Sequence, residues 1–265
     1  MALKADTSRA SGLLLLHAFP LDDSMWAPQV EEFASWTTVL APEFPGFGGA
    51  EPPVAPSMDS AADIAAEEVR EAGLQRVVVC GLSMGGYVAL AFWRRHPDLV
   101  AGMVFANTRA TADDDAGREA RRVLARRLRE EGQAFLANDP PPLLSDTASG
   151  ELLTFVKNTI ASQPAEAIAG AAEAMADRPD STADLAGITV PTLVITGSAD
   201  TLIPPDATRQ LADGLPNTRF EVIDRAGHLS NLEAPHEFNR LLRDHLVRCN
   251  VIIEGLPAGV RTGPA

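Results

Sequence analysis

Six strand-length runs rich in apolar residues punctuate the chain, at residues 13–16, 38–41, 76–80, 102–106, 192–196 and 219–223. Leu13-Leu14-Leu15-Leu16 and Val77-Val78-Val79 contain no polar residue, which is the pattern of a strand buried on both faces. Between the runs, residues 58–72, 84–96 and 235–248 are compatible with amphipathic helices. His96-Pro97 reads as a stop for the second of these, because the residue before a proline is biased away from helix. Strands that alternate with helices predict an α/β fold, a mostly parallel sheet with helices on both faces.

The alternation breaks between about residues 108 and 186. Strand signals vanish there, and apolar positions fall at helical spacing: Val123, Leu124 and Leu128; then Leu152, Leu153, Val156 and Ile160; then Ile168, Ala172 and Met175, after Pro164 at a helix start. The expected organisation is a core of residues 1–107 and 186–250, an inserted helical cap of residues 108–185, and a tail of residues 251–265. Pro140-Pro141-Pro142 is expected to stiffen a link between cap helices. The arginines Arg118, Arg121, Arg122, Arg126, Arg127 and Arg129 read as a solvated helix face. The tail, with Val251-Ile252-Ile253, reads as an extra strand, an arm or a self-association element, which leaves a homo-oligomer open.

Composition narrows the function classes. A chain of 265 residues with 46% hydrophobic content is large enough for one α/β domain with an insertion. Its net charge of −14 disfavours nucleic acid and anionic membranes as partners. No apolar stretch approaches the ~20 residues of a membrane span, and the N-terminal segment lacks a secretion signal, so the expected location is cytoplasmic. The two cysteines, Cys80 and Cys249, give no disulfide framework, and Cys80 is expected as a buried free thiol. The histidines show no metal-ligand spacing. Of these, His236 and His245 are expected on the exposed side of the last helix. Gly46-Phe47-Gly48-Gly49 lacks the helix and spacing of a phosphate loop and reads as a loop bordering the site.

The chemistry concentrates in Cys80-Gly81-Leu82-Ser83-Met84-Gly85-Gly86, between an apolar strand and a helical segment. A serine between two glycines at a strand-to-helix turn reads as a nucleophile elbow, with partners expected in the order serine, acid, histidine. Asp200 follows the fifth predicted strand, and His228 follows the sixth. His228 would take the Ser83 proton as general base and return it to the leaving group as acid, while Asp200 fixes the imidazole tautomer. Asp224 is a weaker candidate acid. The backbone N–H groups of Met84 and Phe19 are the expected oxyanion hole, since Pro20 has none to give. His17 is expected to be architectural.

These segments together resemble the α/β-hydrolase superfamily. The resemblance rests on His17-Ala18-Phe19-Pro20, Pro42-Glu43-Phe44-Pro45-Gly46-Phe47-Gly48, Gly81-Leu82-Ser83-Met84-Gly85-Gly86, Gly197-Ser198-Ala199-Asp200 and Gly227-His228. Within it the chain is most similar to enol-lactonase-like esterases and lactonases, through Leu82, Met84 and Asn107-Thr108-Arg109. The resemblance implies a cofactor-free hydrolase of a small carboxylic ester or lactone. Ser83 replaces the aspartate nucleophile of related dehalogenases, and Asn107 stands where some relatives carry their acid. Leu82 and Leu229 depart from the carbon–carbon hydrolase pattern. Trp26 and Arg109 are the expected substrate contacts, Arg109 for a substrate carboxylate. Perhydrolase (haloperoxidase-like) or lyase chemistry in the same pocket, or a non-catalytic small-ligand receptor, are the alternatives.

Overall fold

The computed structural model describes residues 10–50 and 56–253. All six predicted strands form: β1 (Ser11–Leu16), β2 (Thr38–Leu40), β3 (Arg76–Leu82), β4 (Val100–Ala106), β5 (Thr192–Gly197) and β6 (Thr218–Ile223). They pair in the order β2-β1-β3-β4-β5-β6, every neighbour parallel. The central strands β1, β3, β4 and β5 are buried almost throughout, as their unbroken apolar runs require.

The chain moves from β1 to β2 on one side and then to β3 on the other. The strand order therefore reverses between β1 and β3, and a crevice opens there at the carboxyl ends of the strands. Both the Phe19 loop and Ser83 follow these two strands.

Helices complete the crossovers: α1 (Ala27–Phe33), α2 (Met58–Glu71), α3 (Met84–Arg95), then α4 (Asp115–Glu131), α5 (Ala134–Asn138), α6 (Gly150–Ser162) and α7 (Ala165–Asp177), and finally α8 (Pro205–Asp213), α9 (Ser230–Glu233) and α10 (Pro235–Arg248). The spacing missed α1, α5, α8 and α9, which are too short to show a periodic face. α4 to α7 all lie between β4 and β5, and no strand interrupts them. They bury Leu128, Val156, Ile160, Ile168, Ala172 and Met175, whereas Val123 and Leu153 turn to solvent at 48% and 41% exposure.

The expectation for His245 needs correcting. His236 is exposed, but His245 is buried near Gly102, with its Nε2 3.4 Å from Cys249 Sγ. Glycine at position 102 leaves room against the sheet for both side chains. Burial pulls the imidazole down to about 4 and pushes the Cys249 thiol up to about 12. Cys80 is likewise buried and free. In the tail, Ile252 packs into the core, while residues 254–265 lie outside the described residues. Among the described residues, no helix is long and apolar enough to cross a membrane.

Candidate active site

Ser83 sits at the hinge between β3 and α3 with φ +56° and ψ −113°, a conformation that L-residues rarely adopt. Two glycines make the turn feasible. A Cβ on Gly81 would lie 2.1 Å from the Gly85 carbonyl oxygen, and one on Gly85 would lie 2.0 Å from that of Leu16. The hinge is tied to its neighbours: Ser83 N donates to Ala106 O at 2.9 Å, and Thr108 Oγ1 donates to Ser83 O at 2.8 Å. Met84 is the first residue of α3, so its N–H precedes the helix's own hydrogen bonds.

Asp200 and His228 meet at the ends of β5 and β6. His228 Nδ1 lies 2.8 Å from Asp200 Oδ2, with both side chains fully buried. Asp200 Oδ1 accepts from Leu202 N and Ile203 N, each at 2.9 Å, and Oδ2 also accepts from Asn107 Nδ2 at 2.9 Å. The carboxylate is thus locked in one orientation, and because it can only accept, Nδ1 of His228 is the donor. Nε2 is buried and has no hydrogen-bond partner among the described residues, Ser83 included. Asp224 is not a rival acid, because its carboxylate is 86% exposed and pairs with Arg225.

Ser83 and Phe19 line one cavity of about 700 Å³. Its walls are Tyr87 and Arg109 from the core side, Arg121, Leu124 and Arg127 from α4, Phe135 and Leu136 from α5, and Met175 from α7. Pro141, Leu143, Leu202 and Ile203 close it, and Asp139 adds a carboxylate. Asp200 and His228 are not among the lining residues, but Leu202 and Ile203, whose N–H groups bond Asp200, are. Trp26 does not reach it: the indole is fully buried, and its ring centre lies 6.1 Å from that of Phe238. It closes a short turn onto α10 and is part of the core.

Arg121 corrects the reading of α4 as a wholly solvated arginine face, whereas Arg127 borders the cavity yet stays exposed and paired with Glu131. Arg122, Arg126 and Arg129 do sit outside, in surface pairs with Asp177, Glu119 and the pair Glu166 and Glu173. Arg121 instead turns inward to Asp113, which also receives Arg109 and, at 3.0 Å, the buried Arg178. Burial opposes the Asp113 charge, yet the bonds from Arg178 and Arg121 outweigh it and hold the carboxyl well below the usual range. Asp113 gives no sequence signal, since its partners come from three separate segments.

His17 is architectural, as expected. Its Nδ1 lies 3.1 Å from Ala18 O, and Phe44 N donates to its Nε2 at 2.8 Å, which braces the loop that carries Phe19. Burial lowers its pKa and keeps it neutral. Among the described residues, no group of three or more His, Cys, Asp or Glu side chains could hold a metal ion.

The sequence pattern of the alpha/beta hydrolase family matches residues 13–241. The chain belongs to this family. An esterase from Thermogutta terrifontis, solved with malate bound, superposes with a TM-score of 0.86 at 38% identity, over 91% of this chain and 92% of that one. The pimeloyl-[acyl-carrier protein] methyl ester esterase of Aromatoleum aromaticum is 30% identical over 88% of this hydrolase and 96% of its own length. The 3-oxoadipate enol-lactonase 2 of Acinetobacter baylyi is 27% identical over 86% of this chain and 85% of its own.

Proposed function

We propose that this hydrolase cleaves a small carboxylic ester or lactone by serine catalysis, without a cofactor. The observation that carries the reading is the buried Asp200–His228 pair, whose Nε2 has no hydrogen-bond partner among the described residues, at the carboxyl ends of β5 and β6, the same edge of the parallel sheet on which β3 ends in a serine held at positive φ. The ester and lactone hydrolases among its relatives support the substrate class.

In the first half-reaction, Ser83 Oγ bonds to the substrate carbonyl carbon as its proton passes to His228 Nε2. The carbonyl oxygen takes up negative charge and is held by the N–H groups of Met84 and Phe19, at the positive end of α3. The carbon–oxygen bond to the leaving group then breaks, and Nε2–H protonates the departing oxygen. In a lactone the leaving hydroxyl stays attached to the acyl chain. Water then attacks the acyl-enzyme and gives its proton to Nε2. That proton returns to Ser83 Oγ as the acid departs. Asp200 stabilises the imidazolium in both halves. Residues 108–185 act as a cap that walls the pocket from water and supplies its apolar lining.

Hydrolysis of short-chain p-nitrophenyl esters and a panel of lactones, native against Ser83→Ala, tests this reading. Activity on one panel that disappears in the variant supports it. Equal residual rates in both proteins on both panels would reject it.

A further inference from the structure

We propose that Arg109, Arg121 and Arg127 form an anion subsite in the cavity, and that the ester or lactone bound there carries a carboxylate at the end of an apolar arm. The inference rests on the serine-hydrolase reading for the position of the scissile bond, and on the cavity wall for the rest.

Asp113 is shared by three guanidinium groups, those of Arg109, Arg121 and Arg178. Arg178 is consumed by structure: it is buried over the Tyr87 ring and also donates to Met175 O and Thr111 O. Arg109 and Arg121 instead face the cavity, and one carboxylate cannot neutralise both along with Arg178. Arg109 Nε is buried with no hydrogen-bond partner among the described residues, so donor capacity stands unused at this wall. Arg127, also on the wall, pairs with Glu131 at 3.0 Å, and Asp139 is the one acid in the lining. Three arginines, Arg109, Arg121 and Arg127, thus face the cavity against one lining acid, Asp139, in a chain whose net charge is −14. A half-buried surplus of guanidinium groups in an acidic protein favours a planar anion that accepts two donors, which describes a carboxylate.

The cavity also sets the shape of the ligand. Arg121, Leu124 and Arg127 lie three residues apart on one face of α4, a stripe of about 9 Å at helical rise. The Arg127 Cζ lies over the Phe135 ring, 3.7 Å from its centre, and Leu136, Leu143 and Met175 add apolar lining. A ligand that fills the cavity needs aliphatic carbon between the reacting carbonyl and the anion. Half-esters of medium-chain dicarboxylic acids have this form.

The test compares monoethyl adipate with diethyl adipate as substrates for the native protein, Arg121→Met, Arg121→Lys and Arg127→Met. The native protein is expected to prefer the half-ester by kcat/KM. The half-ester to diester ratio should fall about tenfold to a hundredfold in Arg121→Met, less in Arg127→Met, and recover in part in Arg121→Lys. Calorimetric binding of adipate to Ser83→Ala, with and without each arginine change, reads the subsite without turnover and is expected to weaken at least tenfold with Arg121→Met. Diester hydrolysis with a ratio unmoved by either methionine variant would overturn the subsite and leave the serine reading intact. Adipate binding that needs Arg121, in a protein that cleaves no ester or lactone, would uphold the subsite and reject the serine reading. Arg127→Met lies outside the Asp113 cluster, so it keeps the test decisive if Arg121→Met fails to fold.

Discussion

Asn107 Nδ2 donates to Asp200 Oδ2 at 2.9 Å, so the end of β4 supplies a donor to the acid that follows β5. Asn107 is itself buried at φ +48°, and its amide is fixed by Ser230 Oγ, which donates to Oδ1 at 2.6 Å, and by Gly227 O, which accepts from Nδ2 at 3.2 Å. The residue that rules out an acid at position 107 thereby positions the acid at position 200.

Asn107→Leu removes that donor from the carboxylate and leaves Ser230 without its acceptor. A lost hydrogen bond to a charged group predicts a fall in kcat of about tenfold to a hundredfold. Asn107→Asp sets a second carboxylate beside Asp200, and like charges at that distance retain a shared proton to higher pH. The acid limb of its pH–rate profile should therefore move upward, because protonated Asp200 no longer supports the imidazolium. Superimposable profiles for Asn107→Asp and the native protein would remove Asn107 from the machinery.

The backbone of Ser83 predicts an exchange of stability for activity. Its positive φ costs about 1–3 kcal/mol in a residue with a side chain, and glycine relieves most of that. Ser83→Gly should lose hydrolysis entirely and yet melt about 2–4 °C above the native protein per kcal/mol recovered. Ser83→Ala, which keeps the Cβ, should be equally inactive without that gain. Calorimetric melting of the three proteins decides it.

Sequence alone exposed the sheet because its central strands are unbroken apolar runs, and it exposed the elbow because Gly81, Ser83 and Gly85 must fall within five consecutive residues to make the turn. The cavity wall was less accessible. Arg121 and Arg122 are neighbours on a helix whose charges look alike, and only packing sends Arg121 inward to Asp113 while Arg122 pairs with Asp177 at the surface. Trp26 and His245 went astray for a similar reason. An amphipathic residue beside a loop or a helix end shows no preference for core or pocket until its neighbours, Phe238 and Gly102 here, are in place.

Glu43 makes stability depend on pH. Burial raises its pKa to about 8, partly opposed by the hydrogen bond from Asp23 N, and the nearby charges of Asp23 and Asp22 add to the rise. Its Oε2 lies 3.3 Å from His17 Nε2 and has no hydrogen-bond partner among the described residues. The folded protein therefore holds a proton here that the unfolded chain gives up near the ordinary glutamate value of 4.5. Stability from this group is full below that value, declines as pH rises, and is lost once pH passes about 8. In Glu43→Gln the melting temperature should fall less steeply between pH 5 and pH 9 than in the native protein (a window of about 4 units). Parallel curves would show that Glu43 is ionised in the fold.

Glu233 connects the histidine loop to the link between α5 and α6. Its carboxylate accepts from Gly227 N at 2.9 Å, from Ser145 N at 3.1 Å and from Ser145 Oγ at 2.5 Å, while Leu229 N donates to Leu143 O at 2.9 Å. Both flanks of His228 are thus tied to the chain segment that closes the cavity behind Pro141 and Leu143. Glu233→Ala strands two backbone donors, which costs about 1–3 kcal/mol for each one left unpaired. Hydrogen exchange at residues 226–229 and 143–146 should accelerate together, and kcat should fall more than KM rises, because the imidazole loses its fixed position before the pocket loses its shape. Glu233→Gln keeps an acceptor for Gly227 N and offers its amide to Ser145 Oγ, so it should recover most of the rate. If exchange quickens in only one of the two segments, the loop and the link move independently, and the coupling assigned to Glu233 fails.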